Sequence, residues 1–184
     1  MISIRTISIA ALLILAGKAH AENPKDFTVE APVDGQTLTL SKQRGKVVAL
    51  HFLLKTECPY CLRYTHAYSA PAEKNAEVVH VFLKPDRPDE IKAWAAKIDK
   101  AGLNKLPRIY RDADAALAKK FGIPDGYKFH GQSVHYPATI LLDEEGREIF
   151  RYVGKDNRDR LPPEELVKKL AERPKKSTVR ATPR

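Results

Sequence analysis

The sequence predicts an α/β fold with a central mixed β-sheet flanked by helices. Three observations predict it. Lys46 to Leu54 (KVVALHFLL) and Val78 to Leu83 (VVHVFL) are near-continuous apolar, β-branched runs, the pattern of strands buried on both faces. Segments with helical caps and charge placement separate and follow them. Ala138 to Leu142 (ATILL) and Glu148 to Val153 (EIFRYV) flank Asp143-Glu144-Glu145-Gly146, which reads as an antiparallel hairpin with a four-residue loop. Strands alternating with helices and ending in a hairpin and a helix give a sandwich whose sheet mixes both strand directions.

The chain opens on a leader. Arg5 gives a weakly positive head, and Ile7 to Gly17 is an apolar run too short to anchor comfortably in a bilayer. Ala19-His20-Ala21 supplies the small-x-small pattern of a cleavage site, for a mature start at Glu22. Lys18 is the one feature that favours retention as an anchor. The reading is a signal peptide over 1–21, export to the periplasm or outside the cell, and no stable membrane insertion.

The elements then follow in order. Phe27 to Val29 and Thr37 to Leu40 are short strands around an Asp34-Gly35 turn, and Ser41 to Gly45 is a polar turn. After the first buried strand, a helix runs from Pro59 to about Ser69, where Pro71 should stop it. Asp89 to Lys100 is helical, with acids in its first turn and Gly102 at its end. Arg108 to Tyr110 is a short strand. Asp112 or Asp114 caps a helix from Ala115 to Phe121, closed by Gly122 and Pro124. Asp125 to His135 reads as a loop. Pro162 to Ala171 is a last helix, acidic early and basic late.

The domain therefore covers 22–171, long enough for one proper core. Residues 172–184 form a basic tail. From Arg173 to Arg184 it carries five basic residues, two prolines and no acid, and it holds much of the net charge of +9. Such a segment is a disordered, solvated end. No aromatic interleaves the charge, so nucleic acid is not the expected partner.

Function rests on Cys58-Pro59-Tyr60-Cys61, which holds both cysteines of a 184-residue chain. A spacing of three on a helix's first turn puts both sulfurs on one face. Cys58 would sit at the helix N-terminus, where unpaired N–H groups and the positive dipole end stabilise a thiolate. Pro59 suits that turn, having no N–H to leave unpaired. Cys58 is then the nucleophile that attacks a disulfide, and Cys61 resolves the mixed disulfide. A staple is a poor explanation, because so short a loop adds little stability. Zinc would need two further ligands, and only His130 and His135 show ligand-like spacing. Attached haem would need histidine after Cys61, where Leu62 stands.

With these residues in place, the chain resembles the thioredoxin superfamily. The match is in KVVALHFLLKTECPYC and in Tyr136-Pro137-Ala138-Thr139 before ILLDEEG. The wider frame, over most of 27–171, is similar to the redoxin (AhpC/TSA and TlpA-like) branch. The resemblance implies a thioredoxin-like fold and a cis-proline at Pro137 beside the cysteines. Pro59, Tyr60, Tyr136 and Pro137 would then shape the substrate groove. His51 stands near the position of a buried acid in thioredoxins, so it is either a proton relay to Cys61 or a hydrogen-bonded core histidine. Glu57, next to the pair, would oppose activation of Cys58, and Lys55 would supply positive charge.

The branch contains both disulfide oxidoreductases and peroxiredoxins. Peroxiredoxins carry P-x-x-x-[TS]-x-x-C, whereas here Lys55 and His51 stand at −3 and −7 from Cys58. They also place an arginine where this chain has Pro137. Both departures favour dithiol exchange. The expectation is an exported thiol–disulfide oxidoreductase that acts on protein thiols and disulfides. It would need no cofactor beyond the redox-active Cys58–Cys61 pair, bind no metal, and work with an upstream redox partner, either soluble or membrane-bound. A divergent thiol peroxidase is one alternative. The other is a copper or zinc carrier that adds His66 or His135 to the thiolates.

Overall fold

The computed structural model describes residues 26–55, 58–74, 77–99, 107–129 and 132–173. The expected leader, Glu57, His130 and the tail from residue 174 onward lie outside these residues. In chain order the strands are β1 (Thr28–Glu30), β2 (Thr37–Thr39), β3 (Val47–Phe52), β4 (Val78–Lys84), β5 (Ile109–Arg111), β6 (Asp125–Phe129), β7 (Gln132–His135), β8 (Ala138–Leu142) and β9 (Glu148–Val153). The helices are α1 (Pro59–Lys74), α2 (Pro88–Asp99), α3 (Ala116–Lys120) and α4 (Pro163–Glu172).

The central sheet has the order β5-β4-β3-β8-β9. β3 pairs in parallel with β4, and β4 with β5. β8 runs antiparallel to β3, and β9 antiparallel to β8. The sheet is mixed, as its sequence pattern predicts, and the fold is thioredoxin-like.

All six residues of β3 are buried, because the sheet has a core on each face. Val47 and Ala49 pack with Tyr64 and Tyr68 of α1, Ile91 and Trp94 of α2, and Leu166 and Leu170 of α4. Val48, Leu50 and Phe52 point the other way, towards Val29, Leu38 and the Leu117, Ala118 and Phe121 cluster around α3. Two apolar faces on one strand explain why its sequence shows no polar alternation.

Five expectations are corrected. α1 runs through Pro71 to Lys74. Its Cys61, Tyr64, Thr65 and Tyr68 face is buried, and that packing holds the helix despite the hydrogen bond a proline removes. The segment read as a loop over 125–135 is the hairpin β6–β7, with an irregularity between Asp125 and Tyr127. The helix expected over 115–121 is split into a 3-10 turn (Ala113–Ala115) and the shorter α3, with left-handed backbone at Asp114 (φ 54) and Ala115 (φ 53). No described peptide bond is cis, so the Tyr136–Pro137 bond is trans, the form an X–Pro bond favours when nothing overrides it. Pro137 buries its ring at the head of β8, where the ladder needs no N–H from it. The last helix also reaches Glu172, one residue into the expected tail.

Candidate active site

β3 ends in the core, and the chain turns through Leu53–Lys55 into α1. Cys58 N–H donates to the Lys55 carbonyl (3.1 Å), which tightens that turn. Cys58 immediately precedes the helix, and its sulfur accepts from Cys61 N–H at 3.3 Å. That is the N-cap bond, with sulfur in the place of the usual oxygen. Pro59 is exposed on the first turn, as expected. Tyr60 is half-buried between two guanidinium groups, with Arg63 at 4.9 Å and Arg158 at 5.6 Å from its ring.

The two cysteines are thiols in unlike surroundings. Cys58 is partly exposed, and its thiol is lowered to about 6. The hydrogen bond from the Cys61 side chain is the largest cause, aided by the N–H groups of Cys61 and Tyr60 and by the Arg160 charge. Cys61 is buried, and burial pushes its thiol well above the ordinary range. Its sulfur accepts from Leu54 N–H at 3.2 Å and lies 3.9 Å from the Leu54 carbonyl. One sulfur is poised to ionise and the other to stay protonated, which is the asymmetry a nucleophile and a resolving thiol require.

Two cations near the sulfurs were not singled out from the sequence. Arg160 reaches back from the segment after β9, and its Nη2 donates to Cys58 Sγ (3.4 Å) and Cys61 Sγ (3.2 Å). Its Nε and Nη1 are buried without a hydrogen-bond partner among the described residues. The segment that carries it is tightly stapled. Asp156 accepts from the N–H groups of Arg158 (2.7 Å) and Asp159 (3.0 Å), Asp159 accepts from Lys155 N–H (2.9 Å) and from the Tyr152 hydroxyl, and Tyr68 donates to the Leu161 carbonyl (2.8 Å). Lys84 is fully buried at the end of β4. Its Nζ donates to the Leu54 carbonyl (2.7 Å), pairs with Asp86 (3.5 Å) and sits 4.6 Å above the Trp94 ring.

Pro137 shares a small pocket with Arg160, Tyr64, Thr139 and Leu161, so the structure brings it to the cysteines' side of the fold. Tyr136 is turned elsewhere. Its ring lies against Gly126, where a Cβ would come within 2.8 Å of it. Its N–H donates to the Pro124 carbonyl (3.1 Å), and its carbonyl accepts from His135 Nδ1 (2.7 Å).

His51 is a hydrogen-bonded core histidine. Its Nδ1 shares a hydrogen bond with the Tyr64 hydroxyl (3.2 Å) and its Nε2 with His80 Nδ1 (2.9 Å), so both ring nitrogens are occupied away from the sulfurs. Burial holds it neutral and takes His80 down to about 4. Tyr64 continues the chain to Thr139 Oγ1 at 2.7 Å. Among the described residues no three His, Cys, Asp or Glu side chains cluster as metal ligands. No described helix is long and apolar enough to cross a membrane.

Known proteins give this geometry its context. The chain is 32% identical over 128 residues to chloroplastic Peroxiredoxin Q of Populus jackii, covering 67% of this chain and 56% of that protein. The chain thus spans little more than half the length of that relative. The crystal structure of a peroxiredoxin-like protein from Aquifex aeolicus matches with a TM-score of 0.66 at 16% identity, over 80% of this chain and 82% of that one. A secreted Mycobacterium tuberculosis disulfide oxidoreductase homologous to E. coli DsbE matches with a TM-score of 0.55 at 19% identity, over 79% of this chain and 94% of that one. At such identities these two structures speak for the fold. The Redoxin family model matches residues 18–170, nearly the whole of the described fold, and the chain belongs to the Redoxin family.

Proposed function

We propose that this redox protein is a thiol–disulfide oxidoreductase that acts through Cys58 and Cys61. The observation that carries the reading is the unlike pair of thiols, a partly exposed Cys58 lowered to about 6 and a buried Cys61 hydrogen-bonded to it. The Cys58 thiolate attacks one sulfur of a substrate disulfide, and that S–S bond breaks as a mixed disulfide forms. Cys61 then attacks Cys58 and passes its proton to the leaving thiolate. The substrate gains two electrons and leaves as one thiol and one thiolate, which takes a proton from water, while the protein is left as the Cys58–Cys61 disulfide. Run backwards, the same steps oxidise a dithiol. Protein thiols and disulfides in the periplasm or outside the cell are the proposed substrates, with a separate redox partner resetting the pair. In the test, Cys58→Ser abolishes exchange with a model protein disulfide and Cys61→Ser accumulates mixed disulfides. Exchange that survives Cys58→Ser would sink the assignment.

A second reading, thiol peroxidase, is favoured by Arg160 with its two unpartnered buried donors beside the sulfurs, and by relatives named Peroxiredoxin Q. Here Cys58 would cleave the O–O bond of a peroxide, become a sulfenic acid and release water or an alcohol, and Cys61 would condense with it and release water. Stopped-flow mixing of the reduced protein with hydrogen peroxide separates the two. Under the first reading peroxide consumes the thiols more slowly than a disulfide does.

A further inference from the structure

A cleft of about 310 Å³ opens beside Lys55, in the turn that leads to Cys58. Four of its lining side chains carry charge: Lys55, Asp114, Lys119 and Asp125. They come from separate elements. Lys55 ends the turn after β3, Asp114 lies in the kinked 3-10 turn, Lys119 is on α3, and Asp125 begins β6. Pro85, Ala115, Val134 and the buried His135 complete the wall.

Two links tie this cleft to the reactive pair. The Lys55 carbonyl holds Cys58 N–H. Val134 belongs to the apolar cluster that contains Cys61 and on which Cys58 rests.

The walls are built, not incidental. Asp125 is paired with His135 across the β6–β7 hairpin, and Gly126 lets the Tyr136 ring press against that hairpin. On the other side, Asp112 accepts from Leu117 N–H (2.7 Å) and Ala118 N–H (3.0 Å), which holds the left-handed kink at Asp114 and Ala115 in place.

The volume is at the small end of the range of about 300–1,000 Å³ found for small-molecule sites. A folded domain does not enter it. Two cations and two anions around one small volume match a ligand that carries both an ammonium and a carboxylate. A ligand of one sign would meet as many repulsive side chains as attractive ones.

We propose that this cleft takes a small zwitterionic disulfide, of the amino-acid or short-peptide class, and presents it to Cys58 as a substrate besides protein disulfides. The inference rests on the exchange chemistry proposed above. The Cys58 thiolate displaces one half of the small disulfide as a thiolate. Cys61 displaces the other half from Cys58 and gives up its proton, so one small thiolate and one small thiol leave, the thiolate takes its proton from water, and the protein keeps the disulfide.

The test mixes the pre-reduced full chain with four small disulfides: L-cystine, the dication cystamine, the dianion dithiodiglycolate and neutral bis(2-hydroxyethyl) disulfide. Each reaction is acid-quenched, read by mass spectrometry, and divided by the rate of the same disulfide with dithiothreitol. L-Cystine should exceed the neutral disulfide by about tenfold on this scale, and the Lys119→Gln/Asp125→Asn double variant should bring the ratio close to one. Lys169→Gln, on α4, should keep the wild-type ratio. Equal normalised rates, or a preference for the dication or the dianion, overturn the cleft assignment and leave the exchange chemistry standing. No reaction with any small disulfide or with a protein disulfide overturns the exchange chemistry itself, and the cleft assignment with it.

Discussion

Arg160 spans the reactive pair: one nitrogen of its guanidinium lies 3.4 Å from the sulfur of Cys58 and 3.2 Å from that of Cys61. A fixed positive charge there favours whichever sulfur is ionised, before and after the mixed disulfide resolves. Arg160→Met keeps the bulk and removes the charge. The apparent pKa of Cys58 should then rise by about one unit, the lower end of what an adjacent opposite charge contributes. Iodoacetamide alkylation across pH, followed by mass spectrometry, measures it.

The wild-type profile is itself a prediction. Alkylation of Cys58 should rise with pH through a midpoint of about 6, while Cys61 stays unreactive well above the ordinary thiol range. The Cys61 thiol is the largest cause of the lowering, so Cys61→Ala should move the Cys58 midpoint up by about one unit or more. An unchanged midpoint would show that the helix terminus and Arg160 suffice without it.

Gly154 places the Arg160 segment. A Cβ at this position would meet the Asp159 carbonyl oxygen at 2.1 Å and the Pro137 ring at 3.0 Å. Gly154→Ala must therefore push the segment off Pro137 and draw Arg160 away from the sulfurs. The expected result is a stability loss of about 1–3 kcal/mol in urea unfolding, with a partial rise of the Cys58 midpoint. Unfolding and alkylation on the same preparation check both.

The His51–His80 pair makes stability depend on pH. Burial keeps both imidazoles neutral, with His80 taken from 6.5 to about 4 and His51 shifted the same way. The unfolded chain binds these protons first. Stability from this source is therefore intact above about pH 6.5 and is lost as the pH falls towards 4. His80→Phe should flatten the fall of the urea midpoint between those values, relative to wild type.

Asp112 holds the start of α3 through two backbone N–H groups. Asp112→Ala leaves those buried donors unpaired and should cost about 1–3 kcal/mol. It should also loosen the Asp114 and Ala115 kink that borders the charged cleft. Denaturant unfolding gives the first effect, and backbone hydrogen exchange at 113–118 gives the second.

The frame of the fold was legible because burial on two faces leaves a plain mark on a strand, as in KVVALHFLL, and because Asp143-Glu144-Glu145-Gly146 closes a hairpin by local turn chemistry. Cys58 and Cys61 were legible for a similar reason, since three-residue spacing at a helix start is a local fact. Arg160 was not. It stands in KDNRDR beside Arg158, and nothing local distinguishes the arginine that reaches the sulfurs from the one that lies over Tyr60. Lys84 closes an apolar strand and looks like an exposed end until the Leu54 carbonyl, Asp86 and Trp94 enclose it. The β6–β7 hairpin was missed because its glycine and histidines break the two-residue alternation. His51 sat in a visible strand, but only the fold shows that His80 and Tyr64 use both of its nitrogens.

Trp94 is the only tryptophan of the chain, and it belongs to the same apolar cluster as Cys61, with the Lys84 ammonium above its ring. Closing the Cys58–Cys61 bond turns the Cys61 thiol, on which the Lys84 charge acts, into a disulfide sulfur and so changes the surroundings of the indole. The protein thus carries its own optical gauge: the emission of one native fluorophore should follow the redox state of the pair in real time, with no label attached.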